Sequence, residues 1–212
     1  VSAVATKILA RDSSKELAIV GTGVQAKAHL EAMALTASFE RARVASRQPE
    51  NAARFAASLQ DRVGFPIEPA KDVASAVREA DVIVTATNSR EPVLKREWLK
   101  QGAHINAVGS SIAAAREIDT ATMVAATLFV DRRESTLNES GEYLFAAKEG
   151  AIGPTHIRAE IGELLIGEQL GRSFPEEITL FKSLGLAVQD LASAQFLYKM
   201  ALAKGVGGRV RF

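Results

Sequence analysis

Leu17-Ala18-Ile19-Val20-Gly21-Thr22-Gly23-Val24-Gln25-Ala26 is the stretch whose reading decides the fold. Its first four residues are apolar and suit a buried strand. A helical pattern starts at Val24 and runs to about Leu35. Between the two lies Gly-x-Gly-x-x-Ala. In that context Gly21 permits the tight turn, Gly23 lets a pyrophosphate approach the backbone, and Ala26 allows the helix to pack close to the sheet. The free N–H groups at the helix start then meet the phosphate charge. Gly21, Thr22, Gly23, Val24 and Gln25 are thus the first candidate cofactor contacts. The competing reading is a glycine turn without a ligand, against which the flanking strand and helix weigh.

Outward from this turn, strand-length apolar runs alternate with helical segments. Arg43–Ser46, Phe65–Glu68, Asp81–Thr87, His104–Val108, Thr127–Val130 and Ile178–Phe181 read as strands. Glu50–Leu59, Val73–Ala80, Glu139–Lys148, His156–Leu170 and Ala187–Lys204 read as helices, and Val1–Ala10 as the middle of one. Strands alternating with helices predict an α/β, doubly wound parallel sheet with helices on both faces, a Rossmann domain. The glycine-rich tail from Gly205 to Phe212 closes the chain.

In such a sheet ligands bind beyond the carboxyl ends of the strands. The second strand ends at Ser46-Arg47, about 25 residues past Gly21, where an NAD site usually has an acid for the ribose 2′-hydroxyl. No acid stands there. Arg47 suits a 2′-phosphate, with Ser46 donating its hydroxyl; a solvated surface arginine, with Glu50 nearby, is the alternative. NADP(H) is therefore the favoured cofactor and NAD(H) the alternative. Thr85, Ala86 and Thr87 end another strand and either face the cofactor ribose or form an ordinary turn. Val108-Gly109-Ser110-Ser111 ends the next strand in the same manner.

Other polar residues read as structural. His29, His104 and His156 lack metal-ligand spacing, so no metal site is assigned. Asp131-Arg132-Arg133-Glu134 reads as a solvated loop, and Glu139 and Glu142 as exposed acids on a helix. Lys182 either lies near the nicotinamide or caps the sheet edge.

The 212 residues carry a net charge of +1, which supplies no field for nucleic acid or an anionic membrane surface. No apolar run approaches the roughly 20 residues that span a bilayer, and no signal peptide is evident. Cysteine is absent, which excludes disulfides, thiolate metal sites and a cysteine nucleophile, and suits a cytoplasmic protein.

Four segments together resemble the ornithine cyclodeaminase/mu-crystallin family: Ile19–Ala26, Ala80–Thr87, Gly102–Gly109 and Thr179–Asp190. They occur in the family's order over nearly the whole chain. The resemblance implies nicotinamide-dependent chemistry at the carbon bearing the amino or imino group of a small amino or imino acid. It places Ser183 among the cofactor contacts and Ser111 beside the nicotinamide as the catalytic candidate. It also implies a second domain, built mostly from an N-terminal segment, that makes a homodimer and grips the substrate carboxylate. Most of that segment is missing from this sequence, so something is expected to precede Val1. Residues 12–186 are expected to form the nucleotide-binding domain. Residues 1–11 and 187–212 are expected to be helical parts of the other.

Cyclodeaminases and alanine dehydrogenases of the family carry an aspartate where this chain has Ser111. A carboxylate deprotonates an attacking amine or water; a serine without a basic neighbour does so poorly. The ketimine-reductase branch resembles this chain at that point and prefers NADPH. The resemblance therefore implies reduction of the C=N bond of a small cyclic ketimine acid. An ornithine-cyclodeaminase or alanine-dehydrogenase reaction, or NADPH and ligand binding without turnover, are the alternatives.

Overall fold

Strand β1 (Glu16–Val20) is buried at every position after the first. A strand shows that pattern when both faces of its sheet are covered. The structure is a computed structural model that describes residues 1–208 and Val210; Arg209, Arg211 and Phe212 of the tail lie outside the described residues.

β1 runs into helix α2 (Val24–Ala34), and helix α1 (Ser2–Leu9) precedes it. Then follow β2 (Arg41–Ala45), α3 (Pro49–Leu59), β3 (Ile67–Pro69), α4 (Val73–Val77), β4 (Val82–Thr85) and β5 (His104–Ala107). The second half holds α5 (Thr120–Ala125), β6 (Ala126–Val130), α6 (Arg133–Glu139), α7 (Gly141–Lys148), β7 (Ile157–Glu160), α8 (Ile161–Leu165), β8 (Ile178–Lys182) and α9 (Ala187–Lys204). The eight strands form one sheet in the order β3-β2-β1-β4-β5-β8-β6-β7. Every pairing is parallel. The order reverses direction between β1 and β4, which opens a crevice at the carboxyl ends of those strands.

The period-two alternation of the strands builds two layers. Ala18, Val20, Ile83 and Ile105 pack with Val77, Met123 and Ala146 under α4, α5 and α7. Leu17, Ile19, Val82 and Val84 face Leu30 and Met33 of α2 and Phe55 and Leu59 of α3. On that second face α1 seats Ala5 and Leu9 against Phe129 and Phe181.

Three sequence expectations are corrected. The helix expected over Glu139–Lys148 is broken at Ser140, whose hydroxyl accepts from the Tyr143 N–H and starts α7 afresh. Residues His156–Leu170 do not form one helix. Ile157 and Ala159 alternate into the core as the edge strand β7, and the Glu160–Glu163 capping box then starts only the short α8. The strand expected from Phe65 begins at Ile67. Helix α5 was not expected; its Asp119 N-cap accepts from Thr122 N–H at 2.8 Å.

Helix α9 contains no buried residue, and Val188, Leu191, Phe196, Leu197 and Leu202 are exposed along it. Among the described residues no helix is long and apolar enough to cross a membrane.

Candidate functional site

The parallel register brings the ends of β1, β2, β4, β5 and β8 to one edge of the sheet. The candidate cofactor residues follow from it. Gly21 leaves β1 with φ 119°, and a Cβ there would collide with the Ala86 carbonyl oxygen. Only glycine fits that turn, because it combines left-handed backbone with contact against the end of β4. Gly23 is the N-cap of α2 with no side-chain cap, and the space above its Cα is open. The first turn of α2 contains no acid. Uncapped N–H groups below an open cradle fit a phosphate.

Val24 and Gln25 are exposed on that turn. Thr22 Oγ1 lies 3.5 Å from Ser46 Oγ, which joins the phosphate loop to the end of β2. Arg47 is exposed just beyond Ser46. A groove of about 680 Å³ opens from Thr22 and Gly23 and runs between α2 and α3, past Lys27, Asn51 and Arg54.

On the other side of the switch point the edge is held from below by buried charge. Thr85 does not face the crevice; it is fully buried and donates to Glu117 Oε2 at 2.8 Å. Thr87 N–H donates to Glu117 Oε1 at 2.6 Å and Gly109 N–H to Oε2 at 2.8 Å. A Cβ on Gly109 would collide with the Thr87 backbone and Glu117. Val108 is half-buried, with its N–H on Thr85 O at 3.0 Å.

Glu142 was expected to be exposed, yet it is 1% exposed. It accepts from Glu117 N–H at 3.0 Å and pairs with Lys182 Nζ at 3.2 Å. The break at Ser140 turns its side chain inward at the start of α7. Lys182 is not at the sheet edge, because β8 lies between β5 and β6; its fully buried ammonium also donates to the Ser110 carbonyl. Asp131 is buried too, not solvated: one oxygen accepts from Leu184 and Gly185 N–H at 2.7 Å each and from Ser183 Oγ at 3.2 Å. Ser183 thus sits beside Asp131 at the end of β8.

Past β5 the chain turns outward. Ser110 is buried and donates to the Ala115 carbonyl at 2.7 Å, which leaves Ser111 exposed on the loop beyond the strand end. Glu117 carried no sequence signal: it sits in a loop just ahead of an unexpected helix. The histidines stay apart. His29 bonds to Ser2 Oγ at 2.9 Å, while His104 is fully buried beside Thr179. Burial and the nearby Arg172 charge lower its pKa to about 3.

Several known proteins are similar to this chain. The Δ(1)-pyrroline-2-carboxylate reductase of Bacillus cereus is 43% identical over 212 residues, 100% of this chain and 65% of that protein. Ketimine reductase mu-crystallin of Rattus norvegicus is 44% identical over 198 residues, 93% of this chain and 59% of that protein. The structure of Thermococcus litoralis Δ(1)-pyrroline-2-carboxylate reductase in complex with NADH and L-proline has a TM-score of 0.95 at 42% identity, covering 99% of this chain and 65% of that one. The chain thus spans slightly less than two thirds of the length of these relatives. The sequence model of the ornithine cyclodeaminase/mu-crystallin family matches residues 1–205, and the chain belongs to that family.

Proposed function

We propose that the protein is an NADP(H)-dependent oxidoreductase that reduces the C=N bond of a small cyclic ketimine acid, with NAD(H) as the alternative cofactor. The observation that carries this reading is the carboxyl edge of the sheet. It offers an open phosphate cradle at Gly23, an exposed Arg47 at the end of β2, and a serine rather than an acid at the mouth beyond β5. The α2 N-terminus takes the pyrophosphate. Arg47 and Ser46 take the 2′-phosphate, and Thr87, Val108 and Ser183 bound the nicotinamide half. The bound nicotinamide supplies a hydride to the imine carbon. The protein's own task is to fix that geometry, exclude water and hydrogen-bond the nitrogen that takes up the proton, the role given to Ser111.

The reductases among its relatives support this reading, as does the absence of a carboxylate at position 111. The alternative reactions, ornithine cyclisation and alanine oxidation, need a base at that point. The substrate carboxylate is gripped by a second domain, to which α9 belongs, whereas α1 packs on the sheet through Ala5 and Leu9. Helix α9, which contains no buried residue, supports that assignment, and the same surface makes a homodimer. Its setting is the cytoplasm, which the cysteine-free composition suits.

The test is a steady-state assay of the full-length protein with NADPH and Δ(1)-pyrroline-2-carboxylate, set beside L-ornithine and L-alanine with the oxidised cofactor. Imine-dependent NADPH consumption well above either amino-acid reaction is expected. Comparable or faster turnover of ornithine or alanine would refute the assignment.

A further inference from the structure

Glu117 is fully buried, yet no basic side chain neutralises it among the described residues. Arg116, its chain neighbour, pairs with Glu149 at 3.0 Å, and Lys182 pairs with Glu142 at 3.2 Å. The cluster of Glu117, Glu142 and Lys182 therefore holds two carboxylates and one ammonium. Both oxygens of Glu117 accept from backbone N–H groups, and Oε2 accepts from the Thr85 hydroxyl as well, so three donors face the carboxylate. Its backbone is fixed as well. Val93 and Leu94 N–H donate to its carbonyl at 2.8 and 2.9 Å, and its own N–H is held by Glu142.

The place of this charge matters. The phosphate loop and the 2′-phosphate candidates occupy the β1–β2 half of the crevice, which leaves the β4–β5 half for the nicotinamide. Glu117 lies under that half and ties its two turns together through Thr87 and Gly109. Resting on the cofactor reading above, we propose that Glu117 is a positioning residue of the nicotinamide half-site whose uncompensated charge biases the site toward the oxidised, positively charged ring. The bias favours hydride donation, because positive charge grows on the ring as the hydride leaves. The charge is placed in advance, so no reorganisation is needed. A clamp that acted only through shape would hold both cofactor forms alike.

The experiment measures dissociation constants of NADP⁺ and NADPH by calorimetry for the wild type, Glu117→Gln and Glu117→Asp. Glu117→Gln should weaken NADP⁺ roughly tenfold more than NADPH, the order expected for one unit charge across a partly buried crevice. Glu117→Asp keeps the charge and shortens the clamp, so it should weaken both forms by similar factors. An unchanged NADP⁺/NADPH ratio in Glu117→Gln, or a shift as large in Glu117→Asp, overturns the proposal. The wild type gives a reading that needs no substitution: NADP⁺ should bind at least as tightly as NADPH, and NADPH binding tenfold tighter overturns it. Failure of the wild type to bind either form defeats the cofactor reading itself, and this inference with it.

Discussion

His104 makes the fold acid-sensitive by an amount the structure sets. Its ring is fully buried on β5; Nδ1 lies 2.9 Å from Thr179 Oγ1, and Nε2 has no hydrogen-bond partner among the described residues. Burial, then the charge of Arg172, holds the folded pKa at about 3 against an unfolded value near 6.5. The folded state therefore carries a neutral ring while the unfolded chain takes up a proton below about pH 6.5. The stabilisation is fully present above that pH and is lost as pH falls toward about 3, where it levels off. At about pH 4.5 the group is roughly two units below its unfolded pKa, and at about 1.4 kcal/mol per unit the loss is about 3 kcal/mol. His104→Val removes the titration while Thr179 keeps Arg172 Nη2 at 3.0 Å and the Leu9 carbonyl at 3.3 Å as partners. Any packing cost of the smaller side chain does not depend on pH. Urea unfolding of both proteins at about pH 7 and pH 4.5 gives the two differences, in which all other titrating groups cancel. The wild type should lose about 3 kcal/mol more than the variant between those conditions. Equal losses would show that His104 is not held neutral, and the account of its burial would fail.

Arg47→Ala should leave NADH affinity unchanged and weaken NADPH roughly tenfold, the low end for a charge-assisted contact because the side chain is exposed; fluorescence titration with both cofactors checks it, and equal affinities in the wild type refute it. Lys182→Met should cost about 3–5 kcal/mol in urea unfolding, because it leaves Glu142 buried without its cation, whereas Lys182→Met with Glu142→Leu should cost clearly less. Glu142→Leu completes the cycle, and a double variant that costs as much as the two single variants added together would mean that the pair carries no coupling. Ser111→Asp should raise the rate of amino-acid oxidation relative to imine reduction, read from steady-state assays in both directions; an unchanged ratio places the base elsewhere.

The nucleotide-binding half was legible in the sequence because its signals are local. Gly21 and Gly23 each answer to a backbone requirement of one turn, and the strand before them and helix after them fall within ten residues. The parallel order followed from alternation alone. The second half was read less well for physical reasons. Ile157 and Ala159 belong to an edge strand whose partner β6 lies about 30 residues earlier, so nothing local distinguishes it from a helix start. Glu142 and Asp131 looked solvated because charged residues are rarely buried, and their burial depends on partners distant in sequence. Glu142 needs Lys182, and Asp131 needs the amides of Leu184 and Gly185. Thr85 ended a strand as expected but points down to Glu117, 32 residues on, rather than into the crevice.

These buried charges share one task. The carboxyl edge of a parallel sheet ends in backbone groups that no neighbouring strand satisfies, and a crevice there must be held open without being filled. This chain holds its turns from beneath. Glu117 takes the amides of Thr87 and Gly109, Lys182 the carbonyl of Ser110, and Asp131 the amides of Leu184 and Gly185. The Cα-to-backbone contacts of Gly21 and Gly109 keep the turns close enough for those bonds to form. Because the floor is set by backbone and buried charge, few side chains remain free to distinguish one ligand from another. Arg47 and Ser111 are exposed on opposite sides of the switch point, and Thr22 and Ser46 are half-buried beside Arg47. Substitutions at those four positions should therefore alter cofactor and substrate preference with little effect on folding. Changes to Glu117, Asp131 or Lys182 should disturb the whole crevice, because each buried group holds a turn that the ligand needs.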